Sequence, residues 1–275
     1  MKTPILELEN ISYAYDDQPN ALQNITVSIY PGERIAIVGN NGAGKSTFFL
    51  CCNGVLFPQK GKIILHSKEI NNNKKDLNCL RQHVGIVFQD PNQQLIGATV
   101  EEEISFGPMN LLLPIDEVER RTNDAIVKMD LEKLRDRPPH YLSGGEKRRL
   151  TIADVLTMDP DIVIMDEPTA FLDSKNTYIL ENTLNELCTQ GKTLMVASHD
   201  MDFVWRWSSR VLVFHDGKII ADDTPENIFS NDCLLNKAQI QQPLLFKITK
   251  ALLNKELLDL KNGLPTTLDE LIKML

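Results

Sequence analysis

Nine residues, Gly39-Asn40-Asn41-Gly42-Ala43-Gly44-Lys45-Ser46-Thr47, follow the apolar run Ile35-Ala36-Ile37-Val38 and fit the spacing G-x-x-x-x-G-K-[ST]. The stretch reads as strand, glycine loop, helix. Glycines let a backbone turn its N–H groups inward around a polyphosphate. Lys45 then reaches the β and γ phosphates, and the Ser46 hydroxyl is placed to hold Mg²⁺. The helix that starts here runs through Phe48 and Phe49 to a stop at Asn53-Gly54, and it points the positive end of its dipole at the same anion. A glycine-rich turn without a ligand has no need of Lys-Ser after its last glycine, so the stretch predicts a nucleotide site.

Three further residue sets carry chemistry that suits a bound polyphosphate. Ile162-Val163-Ile164-Met165 reads as a buried strand ending in Asp166-Glu167-Pro168-Thr169. An aspartate there can hold Mg²⁺, and the next carboxylate can polarise an attacking water. Taken alone, two acids could be a polar strand end; the glycine loop upstream argues for function. Val84-Gly85-Ile86-Val87-Phe88 delivers Gln89-Asp90-Pro91, and the strand from Lys192 to Ala197 delivers Ser198-His199-Asp200. A lone glutamine or histidine would be unremarkable in a loop, but ligands of α/β sheets sit at the carboxyl ends of strands. Leu142-Ser143-Gly144-Gly145-Glu146 leads into the helical run Lys147 to Ala153. Ser143 and Glu146 make a capping box, which is enough for an ordinary helix start. The two glycines lower first-turn helix propensity and are poor choices unless something must approach the backbone closely. A second exposed helix N-terminus is a second anion site.

These residues need a scaffold, and the rest of the chain supplies one. Its 275 residues, 42% of them hydrophobic, suffice for a full core with an appended subdomain. Ile5 to Leu8 and Ile25 to Ile29 are short β runs ahead of a Pro31-Gly32 turn, and Lys62 to Leu65 is another. Tyr13-Ala14-Tyr15 lies among them; a tyrosine here could stack on a base, although strand tyrosines more often belong to a core. Residues 92 to 158 change to helical character, with helix starts at Thr99 and Asp116 and a close at Pro138-Pro139, and read as a helical subdomain inserted into the sheet domain. Asp173 opens a helix to about Gln190, and Asp216-Gly217 marks a hairpin. Leu244 to Leu260 is an apolar helical tail, and Thr267 caps a last helix with Leu268, Leu271, Ile272 and Leu275 on one face. That tail predicts packing on its own domain or on another chain.

Several classes are excluded. Asn73-Lys74-Lys75-Asp76 matches a guanine-reading N-K-x-D, but it lies in a polar loop too soon after the phosphate loop, and no D-x-x-G occurs. The net charge of −9 argues against a nucleic-acid partner. No run reaches the length of a membrane span, and Met1-Lys2-Thr3-Pro4 lacks a signal-peptide core, which predicts a soluble, cytosolic chain. The five cysteines, Cys51, Cys52, Cys79, Cys188 and Cys233, show no C-x-x-C spacing and give neither a disulfide framework nor a zinc site.

The ordered set, from about residue 4 to 230, resembles the ATP-binding subunits of ABC transporters. The resemblance implies a fold: a P-loop (RecA-like), mostly parallel α/β sheet core with an N-terminal antiparallel β subdomain, an inserted helical subdomain and a C-terminal helical extension. It also implies roles. Tyr15 matches the aromatic that stacks on adenine, and Gly39 to Thr47 the Walker A loop. Gln89 matches the glutamine that contacts Mg²⁺ and the water region. Ser143, Gly144, Gly145 and Glu146 match the signature, which usually ends in Gln. Asp166 matches the Walker B acid, Glu167 the general base, Asp173 the D-loop acid and His199 the switch histidine. Phe171 stands where the family more often has a small residue. In this family two subunits close head to tail, so that ATP on one Walker A loop is capped by the partner's signature, and closure drives membrane partners.

Phe88 to Leu95, Phe106-Gly107-Pro108-Met109-Asn110-Leu111 and Ser143 to Arg148 are similar to the ATPases of energy-coupling-factor importers, in the cobalt/nickel (CbiO-like) branch. This implies an ATP-binding domain over 1–230 with the helical insertion at about 92–158, and a dimerising extension over 231–275. It further implies a peripheral subunit at the cytoplasmic face of the cell membrane. The expected partners are a second ATPase, either a copy or a paralogue, a multi-span coupling protein and a substrate-binding membrane protein. Vitamin uptake is the alternative cargo. A soluble ABC ATPase is the alternative class, but such relatives usually carry two ATPase halves, zinc modules or coiled coils that this chain lacks.

Overall fold

The computed structural model describes residues 3–16, 20–170, 172–258 and 263–275. Strands β1 (Leu6–Tyr13) and β2 (Leu22–Ile29) pair antiparallel, and the chain turns at Pro31-Gly32 into β3 (Arg34–Gly39) and helix α1 (Lys45–Asn53). Next, β4 (Lys60–Leu65) and β5 (Lys68–Ile70) return to the first pair, making a four-stranded sheet in the order β2-β1-β4-β5. Helix α2 (Lys74–His83) leads into β6 (Val84–Val87), and α3 (Val100–Asn110), α4 (Ile115–Lys128) and α5 (Gly144–Thr157) follow before the chain returns to the sheet. The second sheet is completed by β7 (Ile162–Asp166), α6 (Ser174–Thr189), β8 (Thr193–Ala197), α7 (Met201–Trp207), β9 (Arg210–His215) and β10 (Lys218–Asp223). Its order is β10-β9-β3-β8-β7-β6, parallel except for the β9–β10 hairpin. Among the described residues four short helices follow: α8 (Pro225–Ser230), α9 (Asp232–Ala238), α10 (Leu244–Asn254) and α11 (Leu268–Met274).

Side-chain alternation assigns the layers. Successive residues of a strand point to opposite faces, and a parallel sheet covered on both sides needs apolar residues at every position. Ile35, Ile37, Ile162, Ile164, Met195, Ala197, Leu212 and Phe214 pack with Phe48 and Phe49 of α1 and with Leu6, Leu8 and Ile63 of the antiparallel sheet. Their neighbours Ala36, Val38, Val163, Met165, Leu194, Val196, Val211 and Val213 pack on the other face with Leu150 and Ala153 of α5, Leu184 of α6 and Phe203 of α7. The central sheet is thus buried on both faces, and its strands can deliver polar residues only at their ends.

Some elements differ from the sequence expectation. The Asn73-Lys74-Lys75-Asp76 stretch is no solvated loop: Asn73 caps α2 by accepting from the Asp76 N–H, and the buried Asp76 carboxylate accepts hydrogen bonds from the Asn71 and Asn73 side chains and the Asn71 backbone N–H. The polar composition of α2 hid a helix whose register is set by its cap. The expected tail from Leu244 is helical to Asn254, its last two residues lying outside the described set, as does Phe171. Asp216 (φ +47°) and Gly217 (φ +72°) form the expected tight hairpin turn.

Candidate active site

Adjacent strands β3, β8, β7 and β6 end at one edge of the sheet, and each delivers one part of the site. After β3 comes the glycine loop, after β8 His199, at the end of β7 Asp166 and Glu167, and after β6 Gln89. Asn41 to Thr47, Gln89, Asp166, Glu167 and His199 line a single cleft of about 690 Å³, together with Thr169, Ala170 and Asp200. The last three were not singled out in the sequence; their positions after β7 and β8 are the signal that would have found them.

The loop is built for an anion. Gly44 precedes α1 at φ +103°, and a Cβ there would lie 2.5 Å from the Ala21 carbonyl oxygen, so only glycine fits. No side chain caps α1, which leaves its first-turn N–H groups for a ligand. Lys45 is only 7% exposed, and its Nζ donates to the Gly39 and Asn40 carbonyls at 2.7 and 3.1 Å. Burial lowers its pKa, while the charges of Glu167 and Asp166 oppose the change. A buried ammonium held by loop carbonyls favours a negatively charged guest.

Hard oxygen donors stand beside it. Ser46 Oγ donates to Asp166 Oδ2 at 2.6 Å, and the Gln89 amide lines the same cleft. Hydroxyl, carboxylate and amide oxygens are a donor set that fits Mg²⁺. Glu167 sits at φ +47° and is mostly buried; its Oε2 accepts from the His199 backbone N–H at 3.3 Å. Its Oε1 is buried without a hydrogen bond among the described residues and lies 3.4 Å from His199 Nε2. Burial pushes the Glu167 carboxyl up to about 7, against the opposing pull of the His199 N–H and of Lys45. His199 Nε2 also meets Asn41 Oδ1 at 3.0 Å, and burial followed by the Lys45 charge lowers its imidazole pKa. The cleft therefore pairs a carboxyl poised between its two protonation states with a neutral imidazole.

Other candidates lie elsewhere. Tyr15 does not line the cleft; its hydroxyl is 3.4 Å from Thr47 Oγ1, and its ring meets Tyr13 edge-on at 5.0 Å. Gly39 and Asn40 line an adjoining depression, where Asn40 Nδ2 donates to Gln239 Oε1 at 2.8 Å. Ser143 and Glu146 cap α5 reciprocally, with the Ser143 N–H on Glu146 Oε2 at 2.7 Å, so the glutamate does the capping work that a glutamine would do. Asp173 accepts from Asn176 N and Nδ2 at 2.8 Å, and Asn176 Oδ1 accepts from Arg149 of α5 at 2.8 Å. Neither the α5 start nor Asp173 lines the cleft.

Sequence reasoning missed the residue that ties these parts together. Arg148, 3% exposed on α5, donates to the Phe88 and Gln89 carbonyls at 2.6 Å each and to the Glu167 carbonyl at 3.3 Å. Gln94 accepts from the Phe88 N–H at 3.2 Å and donates to Asp154 Oδ2 at 3.0 Å. The two side chains fix the Gln89 segment to α5 from both sides.

The family model for ABC transporters matches residues 22–170. The energy-coupling factor transporter ATP-binding protein EcfA2 of Methanospirillum hungatei is 39% identical over 272 residues, 99% of this chain and 68% of that protein. EcfA of Methanothermobacter thermautotrophicus is 43% identical over 239 residues, 87% of this chain and 77% of that one. Among solved structures, CbiO1 of Clostridium perfringens, described as part of the ABC transporter complex CbiONQ, is 40% identical with a TM-score of 0.73, covering 85% of this chain and 94% of its own. A dimeric ATP-binding cassette in a post-hydrolysis state with ADP and phosphate is 27% identical, with a TM-score of 0.73 over 80% of this chain and 98% of its own. The chain thus belongs to the ABC transporter ATP-binding proteins, in the energy-coupling-factor EcfA/CbiO-like group of ATP-hydrolysing ATPases.

Proposed function

We propose that the chain hydrolyses ATP in this cleft to energise import of cobalt or nickel ions through membrane partners. The observation that carries the chemistry is Glu167 Oε1, buried without a hydrogen bond among the described residues, beside His199 Nε2 and in one cleft with the Ser46–Asp166 pair. A buried acceptor of this kind suits a water that must give up a proton. Lys45 and the N–H groups of the glycine loop hold the phosphates, and Tyr15, outside the cleft but beside Thr47, is the residue assigned to stack on the base. Ser46, Asp166 and Gln89 would hold Mg²⁺. When bound, that ion neutralises charge developing on the transferred phosphoryl group. Glu167 Oε1 takes the proton of the attacking water, and His199 holds its position opposite Asn41.

The reading needs a second ATPase, because Ser143, Gly144, Gly145, Glu146 and Asp173 stand outside this chain's own cleft. We assign residues 1–230 to the ATP-binding domain and 231–275 to a dimerising extension. On α11 only Leu271 is buried, while Leu268, Ile272 and Leu275 are exposed, an apolar stripe that suits a partner subunit. Ile96, Phe106, Met109 and Leu112 form an exposed apolar group by the helical subdomain, suited to a multi-span coupling protein at the cytoplasmic face of the cell membrane. No helix among the described residues is long and apolar enough to cross a membrane. The cargo assignment rests on the resemblance of Phe88 to Leu95, Phe106 to Leu111 and Ser143 to Arg148 to the cobalt/nickel branch.

The test is purification of the tagged chain from detergent-solubilised membranes of its host, followed by reconstitution into vesicles. A multi-span protein and a small substrate-binding membrane protein are expected alongside it, with ATP-dependent uptake of cobalt or nickel. Uptake of a vitamin in place of the metal would reassign the cargo. Recovery with soluble proteins alone would overturn transport and leave the ATPase chemistry standing.

A further inference from the structure

At the opposite end of the sheet from the nucleotide cleft, three residues from three separate connections converge. His66 lies in the turn between β4 and β5, His83 ends α2 ahead of β6, and Asp161 immediately precedes β7. His66 Nε2 is 3.1 Å and His83 Nδ1 2.7 Å from the same oxygen, Asp161 Oδ2, and the three atoms lie within 4.8 Å of one another. We propose that His66, His83 and Asp161 form a binding site for one divalent first-row transition cation of the zinc, nickel or cobalt class.

Spacing is the first argument. Bonds of about 2.0–2.2 Å to imidazole nitrogen and carboxylate oxygen place neighbouring ligand atoms roughly 3 Å apart around one ion. The two oxygen–nitrogen separations already match that figure. Two imidazoles and one carboxylate select borderline cations over Mg²⁺ or Ca²⁺, which prefer all-oxygen sets. All three side chains are partly exposed, so water can complete the coordination and the ion can enter from solvent.

Pre-organisation is the second. The His66 N–H donates to the Ile5 carbonyl at 2.9 Å, the Asp161 N–H to the His83 carbonyl at 3.0 Å, and the Thr193 N–H to the Asp161 carbonyl at 3.0 Å. The two rings meet edge-on with centroids 5.0 Å apart. His66 (φ +48°) and Ser67 (φ +62°) occupy both left-handed positions of their hairpin turn, where Asn-Gly is the ordinary choice. The backbone thus holds a histidine where a turn alone would favour smaller residues. A bound ion would staple the antiparallel sheet to the starting ends of the strands that deliver Gln89 and Asp166. The site does not depend on which solute is transported.

The experiment is calorimetric titration of the purified, nucleotide-free chain with Zn²⁺, Co²⁺, Ni²⁺ and, as control, Mg²⁺. The Co²⁺ ligand-field spectrum and thermal unfolding are recorded in parallel. One transition ion is expected per chain, with a rise in unfolding temperature and no response to Mg²⁺ at this site. His66→Ala, in an exposed turn, and Asp161→Asn are expected to weaken binding at least about tenfold and to remove the thermal shift. His140→Ala, at an exposed position away from the cluster, is expected to bind as the parent does. Absence of binding, or equal affinity in the parent, His66→Ala and Asp161→Asn, would overturn the site.

Discussion

Two helix starts in this chain are both marked by glycines and both suited to phosphate, yet they are built in opposite ways. At α1 the chain's own packing demands glycine: Gly44 has φ +103° and no room for a Cβ. That helix is left uncapped, and a buried lysine, two carboxylates and a histidine surround it. At α5 neither Gly144 nor Gly145 has a positive φ, and a Cβ on Gly144 would meet nothing within 4 Å. This helix is closed by its own capping box. The first start is one wall of a complete reaction cleft; the second has the shape of an anion site without any of the reacting groups. Gly145 is required by this chain's own packing, since a Cβ there would lie 2.5 Å from Asn176 Nδ2, whereas nothing in the chain requires Gly144; under the proposed dimer that glycine faces the nucleotide of a partner.

The largest expected effect tests whether all the reacting groups belong to the first start. Glu167→Gln keeps the shape of the cleft but removes the proton acceptor, and turnover should fall about 10²- to 10⁴-fold. ATP binding should persist and the protein should accumulate as a closed dimer, read by size-exclusion chromatography with ATP. Near-normal hydrolysis in this variant would show that the base lies elsewhere and would break the contrast.

Next in size is a pH effect that reports how α5 is tied to the cleft. Burial pushes the Asp154 carboxyl up to about 7 from its ordinary 3.8, although the Gln94 hydrogen bond lowers it. The folded state therefore holds this proton more tightly than the unfolded chain does. The contribution to stability is fully present below pH 3.8 and is lost as pH rises through about 7. Above that, an ionised carboxylate is held in a largely buried site. Asp154→Asn should then stabilise the protein by about 3 kcal/mol at pH 8, with the gain shrinking toward pH 4. Denaturant titrations at the two pH values check it; equal gains at both would remove Asp154 from the account.

A smaller effect separates the two starts in a single binding assay. Lys45→Ala removes the ammonium that faces the phosphates and should weaken nucleotide affinity about 10- to 100-fold in the isolated chain. Ser143→Arg should leave that affinity unchanged while abolishing dimer-dependent turnover. Fluorescent-nucleotide titration at concentrations too low for dimerisation distinguishes them. Loss of binding in Ser143→Arg would mean that α5 serves its own chain's nucleotide.

Much of this was legible in the residues because it is local. The G-x-x-x-x-G-K-S loop, the Ser143–Glu146 and Thr267–Glu270 capping boxes and the Asp216-Gly217 hairpin all act within a few residues, and each stands where its spacing puts it. What escaped is long-range. Arg148 reaches carbonyls 59 and 60 residues earlier, and Asn40 meets Gln239 at a separation of 199. A basic residue among Lys147, Arg148 and Arg149 looks solvated until the helix is docked and its inner face is known. Helix α2 escaped for the reverse reason: its composition is mostly polar, and the Asn73 cap, the buried Asp76 and the buried Leu80 reveal it only once the helix is docked.

The smallest expected effect is also the sharpest, because it sets stability against activity at one atom. Gly144→Ala adds a single methyl group where the chain itself leaves open space and an ordinary backbone. Within a helix, alanine is favoured over glycine by roughly 0.5–1 kcal/mol, so the variant should be slightly more stable than the parent in thermal or denaturant unfolding. If the glycine exists for a partner's phosphate, the same methyl group must crowd that approach, and turnover at concentrations that dimerise the protein should fall while nucleotide binding to the isolated chain does not change. Greater stability with undiminished turnover would mean that nothing comes close to α5, and the second helix start would then be only a well-capped helix.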